Sequence, residues 1–257
     1  MSAPSKRAAE AFFRERLAPR GHAEAAAAQK AYMKSDLAFF GVAQRDIRGA
    51  VAEFTRAHED ESLDELRPAL DHLFASKSFD LRSCAIAVLE RRKAALSPSD
   101  LPWLVEQVRH TACWAHVDWL ASLIGHVLAR HPAHKGRLLP RLARDESFWV
   151  QRAALIAQNA EFRRGLGDFE LFCAIAAPLL PEKEFCLRKA IGWALRDASM
   201  KRPDEVHAFV AANRASISAL SRREALRKIG EGWDSAPSVR RSGKRPTRRR
   251  GDTLAPE

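Results

Sequence analysis

The chain has 257 residues, 46% of them hydrophobic and 29% charged, which suits a continuous core in one elongated domain or two small ones and excludes general disorder. Only 12 glycines occur, β-branched runs between turn residues are scarce, and no apolar run reaches the roughly 18 residues a membrane span needs, so strands and spans both lack support. The formal net charge of +11, with an isoelectric point near 10.0, points to a polyanionic partner.

Helical periodicity runs almost from end to end. The N-terminus carries charges from Lys6 to Arg16 and no apolar leader core, so no signal peptide is expected and a cytoplasmic protein is the default. Residues 8–40 read as one or two helices, with AEAAAAQKAYM dense in strong helix formers. Breaks are expected at Ala18–Gly21, Gly41–Arg45, Ser97–Asp100, His131–Gly136, Gly165–Asp168, Pro181–Lys183 and Lys201–Pro203. Ser97-Pro98-Ser99-Asp100 places Pro and Asp where a helix should begin. Residues 235–257 hold seven Lys/Arg against two acids, a net of +5, and read as a disordered basic tail beyond a folded unit at 1–234.

Five segments repeat. Four open on an aromatic residue, Phe79, Trp114, Trp149 and Phe185, and a fifth opens on Leu220. The intervals are 35, 35, 36 and 35 residues. A period near 35 with two helices per unit marks an α-solenoid, in which each unit buries its apolar face only by stacking. Arg82, Arg152, Arg188 and Arg223 share the fourth position of their segments. Stacking would range them along one face, either as a row toward phosphates or as braces between repeats; the net charge favours phosphates.

The second segment breaks the pattern. Val117 stands at the fourth position and Asp118 at the fifth, a carboxylate within a basic row. Trp114 and Asp118 are i and i+4, on one helix face, and neighbouring cations favour the charged form of the carboxylate. Two readings stay open: a site, or an Asp118–Arg brace with Trp114 in the core. His126, His131 and His134 straddle a proline-containing loop without a matching ligand set, so no metal site is expected. Cys84, Cys113, Cys173 and Cys186 form no C-x-x-C pair and read as buried free thiols of a reducing compartment. Nucleotide-binding and hydrolase glycine motifs are absent.

The same residues carry a resemblance. Phe148–Leu155 resembles the W-x-x-R-x-A segment of AlkD-like alkylpurine DNA glycosylases, and Arg188-Lys189-Ala190-Ile191-Gly192-Trp193-Ala194-Leu195-Arg196 is similar to their R-K-A-I-G-W-A-L-R segment. Trp114-x-x-Val117-Asp118 matches the family's W-x-x-V-D; Gln29–Lys34 and Phe40-Gly41-Val42 resemble its N-terminal helix. Cys113 and Ala115 depart from it, standing where the family often has an aromatic and an acid. The resemblance implies an all-α, curved solenoid of HEAT-like helical pairs. It implies a monofunctional glycosylase that excises N3- and N7-alkylpurines from double-stranded DNA in base excision repair, without deep base flipping. It implies a site of Asp118, Trp114, Trp193 and Arg152, DNA contacts from Arg82, Arg188, Lys189, Arg196, Arg223 and Tyr32, a monomer, and no cofactor or metal. The competing expectation is a non-enzymatic HEAT-repeat scaffold that binds nucleic acid or protein.

Overall fold

The computed structural model describes residues 4–111 and 113–230; the basic tail expected at 235–257 lies outside them. The helices are α1 (Lys6–Leu17), α2 (Ala23–Met33), α3 (Gln44–Ala57), α4 (Leu63–Phe74), α5 (Phe79–Arg91), α6 (Leu101–His110), α7 (Trp114–Arg130), α8 (Lys135–Leu142), α9 (Phe148–Ile156), α10 (Asn159–Arg163), α11 (Phe169–Ala176), α12 (Phe185–Ser199), α13 (Pro203–Ala212) and α14 (Ala219–Leu226). No strand occurs among the described residues beyond an isolated parallel bridge between Ala38 and Ser78, and no helix is long and apolar enough to cross a membrane.

Local sequence explains the boundaries. Ser62 opens α4 with a capping box, its side chain taking the Glu65 amide while the Glu65 carboxylate takes the Ser62 amide. Ser78, Asp168 and Ser218 cap α5, α11 and α14 through their side chains. Ser97–Asp100 starts a helix as its residues indicate: Pro98–Asp100 is a 3-10 turn leading into α6, and the Asp100 carboxylate accepts the Ser97 amide at 2.9 Å. Along α3, Ile47, Ala50, Val51 and Phe54 fall at helical spacing and are all buried.

The five repeat segments become α5, α7, α9, α12 and α14, and each packs on the next to form an inner row. α4, α6 and α8 pack outside α5, α7 and α9, while α13 packs against α12 and α14. This is the HEAT-like helical repeat fold. One interval differs from the two-helix unit: α10 and α11 both intervene between α9 and α12, with α10 packed on α12 and α11 on α8 and α9. The core is one continuous cluster, from Phe13 in α1 to Leu226 in α14.

The N-terminal expectation needs correction. Residues 34–43 are not helical. Lys34 turns the chain out of α2 in the left-handed region (φ 50°), Gly41 has φ 77°, and the buried Asp80 carboxylate takes the Phe40 amide at 2.7 Å. Phe40-Gly41-Val42 is therefore a non-helical strap that turns at Gly41, with α2 on one side and α5 on the other.

Candidate functional site

The helical starts reset the register of the arginine row. Counted from their first helical residues, Arg82 and Arg188 stand fourth in α5 and α12, but Arg152 and Arg223 stand fifth in α9 and α14. Asp118 is fifth in α7. Asp118 and Arg152 thus occupy equivalent places on adjacent helices, which is why they meet.

Their contact is a two-pronged ion pair: Arg152 Nε donates to Asp118 Oδ1 at 2.8 Å and Nη2 to Oδ2 at 2.9 Å. Arg152 Nη1 donates to the Cys186 carbonyl on α12, so one guanidinium ties three successive inner helices. The side chains of Arg152 and Asp118 are only 7% and 16% exposed. Burial raises the Asp118 pKa above its usual 3.8, against the Arg152 hydrogen bonds and charge that lower it. The sequence argument from neighbouring cations had the opposite sign, because it left out the cost of removing a carboxylate from water. The fork still marks Asp118 as an anion, since both oxygens accept from donors that cannot give up their protons.

Around this pair lies a cleft of about 700 Å³, within the size range of small-molecule sites. α7 contributes Trp114 and Asp118, α9 contributes Phe148, Trp149 and Arg152, and α12 contributes Phe185, Lys189, Trp193 and Arg196. The end of α2 adds Tyr32, Met33 and Lys34, with the Tyr32 ring edge-on to Trp114 at 5.7 Å and 76°. Lys189, Trp193 and Arg196 follow an i, i+4, i+7 spacing that puts them on one face of α12. The Trp193 side chain is hydrogen-bonded to Asp197, which accepts from Arg163 at 2.6 Å. Glu224 of α14 closes the far end, accepting from Lys189 at 3.1 Å and also from Arg196. Gly192 makes that reach possible: a Cβ there would lie 2.7 Å from the Glu224 Cβ and 2.9 Å from the Ser221 carbonyl oxygen.

The fold therefore brings Trp114, Asp118, Arg152, Trp193, Tyr32, Lys189 and Arg196 together. Arg82, Arg188 and Arg223 lie outside the cleft, so the four arginines do not form one row of free cations. Arg82 braces its repeat, donating to the Ser76 carbonyl at 2.6 Å and the His110 carbonyl at 3.4 Å. Arg188 is half-buried, with Nε lacking a hydrogen-bond partner, and Arg223 is exposed. Trp114 is a half-buried wall of the cleft, not core. Sequence reasoning missed Phe148, Trp149, Phe185, Glu224 and Lys34. Trp149 and Phe185 were visible as aromatic openings of repeats, and Phe148 only as the residue before one of them. Glu224 lies 35 residues after Lys189, one repeat period, and that spacing is the signal that could have found it. Next to the site, buried His116 joins α7 to α5 by a 2.9 Å contact with Ser83 Oγ and by stacking on Phe79. Burial pushes its pKa down to about 3, so it is a neutral packing element.

A stack of helical pairs whose inner helices converge on a basic, aromatic-walled cleft places the protein in the class of HEAT-like repeat proteins. Within that class, the family described as DNA alkylation repair enzyme matches residues 13–229, and the protein belongs to it. Its fold is similar to that of "Predicted DNA alkylation repair enzyme from Enterococcus faecalis", with TM-score 0.76, 21% identity, and coverage of 82% of this chain and 98% of that one. AlkD2 from Streptococcus mutans has TM-score 0.56 and 16% identity, covering 74% of this chain and 91% of its own. The smu.31 protein from Streptococcus mutans UA159 has TM-score 0.54 and 16% identity, covering 72% of this chain and 100% of its own. At these identities the likeness is one of fold. No curated protein sequence matches the chain.

Proposed function

We propose that the protein is a monofunctional DNA glycosylase that hydrolyses the N-glycosidic bond of cationic N3- and N7-alkylpurines in duplex DNA. The observation that carries this reading is a carboxylate, Asp118, held in the Arg152 fork beside the aromatic walls of an open cleft.

An alkylated purine already bears positive charge, so its bond to C1′ is weak. As that bond breaks, the electron pair leaves with the base, which becomes neutral, and cationic character moves to the deoxyribose. Stabilising that charge more than the ground state is what accelerates the step. Asp118 can do so electrostatically. The Arg152 fork uses one lone pair on each oxygen, leaving others to accept from a water that adds at C1′ and gives up its proton. Trp114 and Trp193 offer π faces to a cationic sugar or base, each interaction contributing roughly 0.5–2 kcal/mol. Tyr32 and Phe185 line the cleft while 70% and 56% exposed, which favours a lesion held against an open wall over one enclosed in a deep pocket. Lys189 is ion-paired to Glu224, and an ammonium so held is no nucleophile, in keeping with base removal without strand cleavage.

Asp118→Asn should keep DNA binding and lower excision roughly 100-fold or more, the loss expected from removing one electrostatic contact at a developing charge. Single-turnover release of 7-methylguanine and 3-methyladenine from methylated duplex is the measurement. A variant within threefold of wild type would remove Asp118 from the mechanism, and a wild-type protein that binds methylated duplex without releasing base would favour a scaffold.

A further inference from the structure

Three features of α2 stand apart from the rest of the chain. First, it buries none of its residues. It is held through backbone instead. A Cβ on Gly41 would lie 2.2 Å from the His22 carbonyl oxygen and 2.7 Å from the Ala26 nitrogen, and one on Gly21 would lie 2.3 Å from the Phe40 carbonyl oxygen. Gln29 Nε2 adds a hydrogen bond to the Val42 carbonyl at 3.0 Å. Two close glycine approaches thus press the helix against the strap so that its last turn meets the cleft.

Second, α2 ends on a residue ill-suited to its conformation. Lys34 is the one non-glycine residue with positive φ among those described (φ 50°). A helix ending in a left-handed residue takes glycine or asparagine at least conformational cost. Nothing about the turn asks for a long cationic side chain.

Third, Lys34 is exposed, lines the cleft, and takes part in no ion pair among the described residues. The other cleft cations are committed, Arg152 to Asp118 and both Lys189 and Arg196 to Glu224. The mouth of the cleft therefore presents one cation free to meet an anion, two residues along the chain from Tyr32.

We infer that Lys34 is a phosphate-binding residue of this site, contacting the DNA backbone beside a lesion held against Trp114. The assignment rests on the DNA reading above. It explains why strain is retained at the end of α2: the left-handed turn carries the side chain to the cleft rim, and the charge is what the position supplies. Strained backbone held by surrounding structure is a recurrent feature of functional sites.

Three variants of the full chain test it. Lys34→Gln removes charge and keeps the strain, Lys34→Gly removes both, and Lys34→Arg keeps the charge. Duplex affinity is measured across a salt series, with melting temperature and single-turnover excision at saturating protein. Lys34→Gln and Lys34→Gly should weaken binding several-fold at low salt and make the salt slope shallower by about one. Lys34→Gly should match or exceed the wild-type melting temperature as the strain is relieved, and Lys34→Arg should bind as wild type does. Unchanged slopes for both charge-removing variants, with wild-type protein binding normally, overturn the Lys34 assignment and leave the glycosylase reading standing. Weaker binding by Lys34→Gly with a lowered melting temperature marks a structural role and overturns it too. Wild-type protein that neither binds duplex nor releases base overturns the function itself, and Lys34 with it.

Discussion

Two joints in the inner helix row use the same device, a carboxylate of one helix bonded to a cation of its neighbour, and they differ in how far the cation reaches water. At the α7–α9 joint, Asp118 and Arg152 are nearly enclosed, and burial wins, raising the Asp118 pKa. At the α12–α14 joint the Glu224 side chain is as shielded as Asp118, at 12% against 16% exposed, but its partners Lys189 and Arg196 are 42% and 24% exposed. There burial also pulls the carboxyl upward, but the Lys189 hydrogen bond and charge, with Arg196 and Arg227, hold Glu224 below its usual 4.5. A pair taken out of water is expensive to break and stays electrostatically strong, which suits the role proposed for Asp118. A pair left near water is screened and acts mainly as a clasp.

The largest effect should come from breaking the enclosed joint. Arg152→Ala leaves the buried Asp118 charge without its fork and the Cys186 carbonyl without its donor. A cost of about 3–5 kcal/mol is expected, lowering the melting temperature by at least roughly 6 °C in a chain of this size. This reverses what a phosphate-facing Arg152 would do, since an exposed cation changes stability by no more than about 0.5 kcal/mol. Thermal unfolding measures it, and an unshifted midpoint would put Arg152 back among free phosphate contacts.

Acid should separate the two joints. The proposed mechanism requires the Asp118 anion, and its pKa is raised, so the rate should fall as pH drops with a midpoint above 3.8. The stability sign is opposite: burying this anion works against folding, so protonation relieves the penalty. Glu224 behaves conversely. Its folded pKa is lowered, so its contribution is present above 4.5 and is lost only as pH falls through the lowered value. Activity should therefore decline while the Glu224 clasp is intact. Single-turnover rates, corrected for acid depurination of the DNA, and melting curves over the same pH series check this. A rate that stays level to below pH 3.8 contradicts the raised Asp118 pKa.

The smallest effect belongs to Glu224→Gln. Glutamine can still accept from one cation, and a pair whose cations are screened by water contributes only about 0–1 kcal/mol. The melting temperature should move by a few degrees at most, with Asp118-dependent chemistry retained. A loss as large as that of Arg152→Ala would show that exposure of the cations does not distinguish the joints.

Much of the fold was legible in the residues. Helix formers, breakers and a 35-residue interval specify an all-helical stack because these signals act within one or two turns of chain, and each expected break falls at a helix end. The anomalous Asp118 was also visible, since it breaks the repeat pattern, whereas Lys189, Trp193 and Arg196 entered only through the family resemblance. What the residues could not supply were contacts across repeats. Periodicity alone gives Arg152 as one more repeat arginine, and its pairing with Asp118 follows only once α9 begins at Phe148 and brings the two level. Lys34 reads as a helical surface lysine until the strap and its glycines place it at the cleft. The direction of the Asp118 pKa likewise depends on desolvation, which comes from the packing of other helices around it. Local sequence determined the elements and their spacing; only their stacking decided which charges are buried, which are paired, and which is left unpaired at the cleft.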